Sequence, residues 1–261
     1  MALRPVKKYI TIGENTGEGD AMEHRDRLWP GGYTFLYDDG LFRPSTDTFL
    51  LGAFPRLRRG MTVCELGAGT GLLSLLLLAR EPELTVTGVE LQPQACALFR
   101  RTAEENGLQG RMHCLEGDLR QGLLPPGRFR LAVANPPYFP PDAGAVAPDA
   151  ARRTARAETD CTLAQLCAAA ARALTWGGSF CLVHRPDRLA DVLEELRRVR
   201  LEPKRLRFVH HTAAARPSLF LLEARLGGGV GLTVEPPLLL HGPDGGETED
   251  VRRAYFRDKE E

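Results

Sequence analysis

The residues best suited to chemistry are Asn135-Pro136-Pro137-Tyr138. They follow an apolar run, Leu131 to Ala134, that reads as a buried strand. Two successive prolines cannot continue a ladder, because each lacks an N–H and holds φ near about −65°. The chain must therefore leave the sheet at Asn135 on a stiff backbone. There it offers an amide oxygen, the Pro136 carbonyl and the flat ring of Tyr138. That set suits gripping a planar group that carries an NH2. A plain proline-bounded turn has the same signature, so the flanking motifs must decide between the two.

Upstream, Glu65-Leu66-Gly67-Ala68-Gly69-Thr70-Gly71 follows a short strand and opens a leucine-rich helix. A dinucleotide fingerprint spaces its glycines G-x-G-x-x-G, and here Leu72 stands where the last would fall. The tighter spacing does not match a pyrophosphate cradle, but it still lets backbone approach a ligand closely. Glu90 ends the next strand, 19 residues after Gly71. An acid at that place can accept hydrogen bonds from two ribose hydroxyls. Asp118 follows the third strand and can accept from an adenine amino group. Separately, each is a turn or a solvated acid. In this order they mark a nucleoside site along the C-terminal edge of a sheet.

The elements that must hold these residues alternate strand and helix. Strands are expected at Thr62–Leu66, Leu84–Val89, Arg111–Glu116, Phe129–Ala134, Ser179–Val183, Leu206–His210 and Leu219–Ala224. Helices are expected at Leu72–Arg80, Gln92–Asn106, Leu163–Leu174 and Leu189–Arg198. This predicts an α/β fold with a seven-stranded, mostly parallel, doubly wound sheet and helices on both faces. Before it, residues 1–27 read as a polar arm. An aromatic-rich hairpin turning at Asp38-Asp39-Gly40 and a helix starting at Pro44-Ser45-Thr46-Asp47 fill 28–58. The core spans 59–226, a Gly-rich link opens a C-terminal extension over 227–261, and 28–261 form one domain.

Lys+Arg and Asp+Glu are both 34, so no global charge points to nucleic acid, although local patches remain open. The six cysteines include no C-x-x-C pair, which suits reduced core thiols. No early stretch has the form of a secretion signal, and no apolar run approaches the ~20 residues that span a bilayer. The expectation is a cytoplasmic protein with no membrane association. His210-His211 lacks partners at ligand spacing, so no metal is expected.

The ordered motifs resemble those of the S-adenosylmethionine-dependent methyltransferases of class I, with a Rossmann-like sheet. The resemblance implies S-adenosyl-L-methionine as cofactor and S-adenosyl-L-homocysteine as product. It assigns Gly67, Gly69, Gly71, Glu90 and Asp118 to the cofactor and adds Asp47, Glu65, Leu91, Leu119 and Asn135. Asn135-Pro136-Pro137-Tyr138 resembles the catalytic motif of amino-group methyltransferases, which act on adenine N6, guanine N2 or glutamine amide. An exocyclic amino nitrogen is a poor nucleophile because its lone pair is delocalised. If Asn135 Oδ1 and the Pro136 carbonyl accept its N–H bonds, it can rehybridise as it attacks. Tyr138 can stack on the base, worth roughly 1–3 kcal/mol.

From about Asp26 the chain is similar to the bacterial tRNA adenine-N6 methyltransferases that modify an adenine beside the anticodon of a valine tRNA. Phe42-Arg43-Pro44-Ser45-Thr46-Asp47-Thr48-Phe49-Leu50-Leu51, Ala155 to Leu163, Pro236-Pro237-Leu238 and Gly246-Glu247-Thr248-Glu249 carry the likeness. Ala157 and His241 stand where the family often has histidine and tyrosine. A tRNA substrate makes Arg152, Arg153, Arg156, Lys204 and Arg205 candidate phosphate contacts. The rivals are methylation of rRNA guanine N2, DNA adenine N6 or protein glutamine, and a non-catalytic RNA- or nucleoside-binding module.

Overall fold

The computed structural model describes residues 23–41, 43–136 and 161–259. A hairpin comes first, with β1 (Glu23–Arg27) antiparallel to β2 (Thr34–Asp38). Its turn is not at Asp38-Asp39-Gly40, as the sequence reading expected, but at Trp29-Pro30-Gly31-Gly32. The Gly32 N–H meets the Trp29 carbonyl at 2.9 Å, and Gly31 has φ 74°. Proline followed by a left-handed glycine is the geometry of a type II turn. Asp38-Asp39-Gly40 still bends, with the Gly40 N–H on Asp38 Oδ1 at 2.6 Å, but the bend leads toward α1 (Thr46–Ala53). β1, Glu-His-Arg-Asp-Arg, carries no apolar side chain, so pattern alone assigned it to the arm.

The central sheet alternates with helices as its hydrophobic runs require. Its strands are β3 (Thr62–Leu66), β4 (Thr85–Glu90), β5 (Met112–Glu116), β6 (Phe129–Ala134), β7 (Leu174–His184), β8 (Leu201–His210) and β9 (Pro217–Leu226). Two-residue strands β10 (Thr233–Val234) and β11 (Leu238–Leu239) join β8 in parallel. The order is β10-β8-β9-β7-β6-β3-β4-β5, with β11 beside β8 and β9 antiparallel to its neighbours. The expected seven strands are present, lengthened at β7 to β9, with the two short strands added.

The other α-helices among the described residues are α2 (Leu72–Arg80), α3 (Pro93–Glu105), α4 (Leu163–Ala173), α5 (Leu189–Arg198) and α6 (Glu249–Ala254). Alternate residues of each strand serve opposite faces. In β6, Leu131 and Val133 join the core that holds α1, α2 and Phe99 of α3, while Ala132 and Ala134 join the one that holds α4 and α5. α2 is buried from Leu72 through Ala79. It tolerates an all-round apolar surface because α1 covers the side the sheet leaves open. Gly52 makes that approach close, since a Cβ there would sit 3.0 Å from Leu76 Cβ.

The chain runs β3, β4, β5 toward one edge and then returns to place β6 on the other side of β3. β3 leads to α2 on one face, and α4, the next described helix after β6, lies on the other. An open α/β sheet binds ligands in the crevice at such a switch point.

Candidate active site

Register brings the sequence motifs into one row. Glu65 pairs with Val133 on one side and Gly88 on the other. Two residues further along each strand lie Gly67, Asn135 and Glu90. Neighbouring strands are about 4.8 Å apart, so Asn135 and Glu90 flank Gly67 across roughly 10 Å.

The glycine loop needs its glycines, since Gly67, Gly69 and Gly71 have φ of 73°, 52° and 87°. A Cβ on Gly71 would meet Phe99 Cδ2 at 2.6 Å, whereas one on Gly67 would meet nothing within 4 Å. Gly71 is thus filled from behind by protein, and Gly67 is open. Thr70 Oγ1 is buried in the same loop and meets no hydrogen-bond partner among the described residues.

The two acids divide their work. Glu65, 3% exposed, accepts from the Ser74 backbone N–H at 3.0 Å and from the Ser74 hydroxyl. It satisfies an otherwise orphaned donor in the first turn of α2. Burial pushes its carboxyl up to about 8, against the pull of the Ser74 bonds. Glu90 ties the loops together instead, with Oε2 on the Gly69 N–H at 2.8 Å and Oε1 on the Gln92 N–H at 2.9 Å. Each of its oxygens keeps a lone pair for a ligand hydroxyl. Leu91, 36% exposed, follows it at the rim.

Asp118 caps the short 3-10 turn Leu119–Gln121 by accepting from the Arg120 N–H at 2.9 Å. The Arg120 guanidinium closes back onto the same carboxylate at 2.7 Å and holds it below the usual carboxylate range. A cavity of about 300 Å³ opens beside this turn, walled by Leu66, Val89, Leu119 and Leu124 of the sheet side and Ala168 and Ala169 of α4. Arg120, Gln165 and Arg172 line it as well, so a partly apolar slot of a form that a flat heterocycle fits opens beside the turn that Asp118 caps.

Asn135 leaves β6 with its side chain anchored, since Nδ2 donates to Thr48 Oγ1 at 3.0 Å. Thr48 is buried in the first turn of α1, beside half-buried Asp47. Sequence reasoning included Thr48 in a matching run but gave it no role. Its 87-residue separation from Asn135 hides the contact. His184 lies on the same row. The registry of Ala134 with Leu182 sets it level with Pro136 at the end of β7. It is buried, accepts from the Arg185 N–H through Nδ1 at 2.8 Å, and is pushed down to about 4 by burial, so it is neutral at pH 7. Pro137, Tyr138, Arg152, Arg153 and Arg156 lie outside the described residues.

A family model for the methyltransferase small domain matches residues 44–203. The tRNA1(Val) (adenine(37)-N6)-methyltransferase of Yersinia enterocolitica serotype O:8 / biotype 1B is 32% identical over 188 residues, which cover 69% of this chain and 74% of that protein. The chain belongs to this methyltransferase family. The enzyme of the same name from Yersinia pseudotuberculosis serotype O:3 is 32% identical over 64% of this chain and 69% of its own. Among solved structures, a protein described as a predicted O-methyltransferase, Atu636 from Agrobacterium tumefaciens, aligns with a TM-score of 0.66 at 22% identity over 80% of this chain and 96% of that one. Geranyl diphosphate C-methyltransferase from Streptomyces coelicolor A3(2), solved with S-adenosyl-L-homocysteine, aligns at 0.51 and 14% identity over 68% and 75%. These two likenesses are of fold.

Within the methyltransferase fold, Arg205 of β8 is not placed as expected. Arg205, 13% exposed, donates to Glu223 at 3.0 Å, to Glu235 at 3.4 Å and to the Phe54 carbonyl at 2.7 Å, and lies over the Phe54 ring. Its donors are committed inside the protein, which corrects the reading of Arg205 as a phosphate contact. Lys204 Nζ meets the Gly229 carbonyl at 2.8 Å, and Arg207 grips Asp250 at 2.6 Å. These cations staple the C-terminal extension to the sheet. Among the described residues, no group of three His, Cys, Asp or Glu side chains is arranged to hold a metal ion, and no helix is long and apolar enough to cross a membrane.

Proposed function

We propose that this methyltransferase transfers a methyl group from S-adenosylmethionine to the exocyclic N6 of an adenine in tRNA, beside the anticodon. The observation that carries the reading is Asn135 at the switch point, level with Gly67 and Glu90 and held by its amide nitrogen. The names of its relatives supply the tRNA and the adenine.

S-adenosylmethionine, when bound, supplies an electrophilic sulfonium methyl. Gly67 to Gly71 offer backbone at close range, Glu90 its remaining lone pairs to ribose, and Asp118 an acceptor for the adenine amino group. Asp47, Leu91 and Leu119 line the same edge. Glu65 acts from behind by holding the loop to α2.

Toward the acceptor, Asn135 Oδ1 and the Pro136 carbonyl each take an N–H of the target amine. Both acceptors stabilise the positive charge that develops on nitrogen as it gains a fourth bond. Holding the reactants in line supplies the rest, and the methylated nitrogen, acidic once it carries four bonds, releases its extra proton to water. Tyr138 completes the motif as a stacking platform, and Arg152, Arg153 and Arg156 as phosphate contacts. A tRNA substrate makes the cytoplasm the place of action.

Nucleoside mass spectrometry of total tRNA from a strain lacking this chain tests the reading. Loss of N6-methyladenosine that returns on complementation is expected. An unchanged level, with another methylated nucleoside or methylglutamine missing, would overturn it.

A further inference from the structure

We infer that Thr48 is the positioning residue that sets the orientation of the Asn135 amide, resting on the reading of Asn135 as the acceptor of the target amine. The terminal torsion of an asparagine is broad, so its own rotamer does not fix which edge of the amide faces outward. An external bond must do so. Thr48, 2% exposed, accepts from Asn135 Nδ2 at 3.0 Å. A hydroxyl can donate as well as accept; with the Thr48 proton given to Ser45 Oγ, its oxygen is left to hold the NH2 edge, and the planar amide turns its carbonyl edge the other way. The opposite orientation would present N–H donors to a substrate amine that itself offers N–H bonds.

Thr48 is in turn constrained. Ser45 Oγ lies 3.2 Å from its hydroxyl. The Tyr255 hydroxyl donates to Thr46 Oγ1 at 3.1 Å, and the Tyr255 ring stacks on Phe49 at 4.3 Å. Tyr255 thus braces the turn of α1 that carries Thr48, and Thr48 in turn holds the amide at the end of β6. Thr48 and Ser45 belong to neither the glycine loop nor the strand-end acids, so loss of the Thr48 hydroxyl should fall on the acceptor rather than on the cofactor.

The test is steady-state methylation of tRNA by the purified full chain carrying Thr48→Val or Thr48→Ser. Valine keeps the shape and removes the hydroxyl, while serine keeps the hydroxyl. Thr48→Val is expected to lower kcat roughly tenfold, the size of one neutral hydrogen bond. Its KM for S-adenosylmethionine should stay within about twofold of wild type. Thr48→Ser should recover most of kcat. A Val variant with wild-type kcat overturns the inference, as does an equal loss in Ser, or a loss that falls on cofactor KM. If Thr48→Val does not fold, Ser45→Ala must show the same kcat-only loss, about twofold to threefold, or the inference fails. Should wild-type protein yield a methylated product other than N6-methyladenosine, the functional reading is lost. The kcat split measured on that product still decides the role of Thr48.

Discussion

The two halves of the site are built differently. The cofactor half is local: β3, its glycine loop, Glu90 and Asp118 all fall between residues 62 and 119, and they brace one another through short bonds such as Gly69 N–H to Glu90. The acceptor half is assembled at long range, with Asn135 held by Thr48 across 87 residues and Thr46 held by Tyr255 across 209. Most of the cofactor half is thus braced by neighbours in sequence, with Asp47 of α1 the distant exception. A long-range half aims its acceptor only when the whole chain is folded. Binding and catalysis should therefore separate under mutation.

The sharpest break comes from Asn135→Ala. Removing one preorganised acceptor costs about 10²- to 10³-fold in kcat, while calorimetry should find S-adenosylmethionine affinity within a few-fold of wild type. Parallel loss of affinity would show that the two halves are not separate. Glu90→Ala attacks the other half. It removes the carboxyl acceptor and leaves the Gly69 and Gln92 donors unmet. Affinity for the cofactor should fall about 10- to 100-fold by calorimetry, in line with about 1.5–3 kcal/mol for a charged hydrogen bond.

Glu65 sharpens the comparison through stability. Its carboxyl is raised from 4.5 to about 8, so the folded state holds a proton that the unfolded chain releases. Its contribution is fully present below about 4.5 and is lost as pH rises through about 8. Thermal melts of wild type and Glu65→Gln should diverge by a few degrees across that window, with wild type losing stability as pH rises. Parallel curves would contradict this assignment. The smallest effect is expected at Arg120, whose exposed guanidinium competes for Asp118. Exposed ion pairs contribute little, so Arg120→Ala should tighten cofactor binding no more than about threefold, and weakening would mean that Arg120 itself contacts the ligand.

What was legible followed the same division. β3, β6, α2 and α5 match the hydrophobic pattern residue for residue, because an apolar run bounded by Gly or a cap is a local signal. The hairpin turn was misplaced because two turn signals compete there. Pro30-Gly31 sits between a charged strand and an aromatic one, and only docking on the body reveals the charged partner. The Thr34 N–H on Asn106 Oδ1 at 2.8 Å and the Leu36 N–H on Thr102 Oγ1 at 3.2 Å make that docking. β7 begins earlier than expected, at Leu174, because Gly177-Gly178 reads as a helix stop while the strand already runs through it.

The sequence by itself determined the strand, glycine loop and helix, the succession of Glu90 and Asp118, and the stiff exit at Asn135. Each is written in contiguous residues whose backbone preferences act over a few positions. Only the tertiary structure decided that Glu65 faces α2 while Glu90 keeps lone pairs for a ligand. It alone turned Arg205 inward and gave Asn135 its hydroxyl partner. Those outcomes depend on which atoms a folded chain brings within hydrogen-bond reach, and no local pattern carries that information.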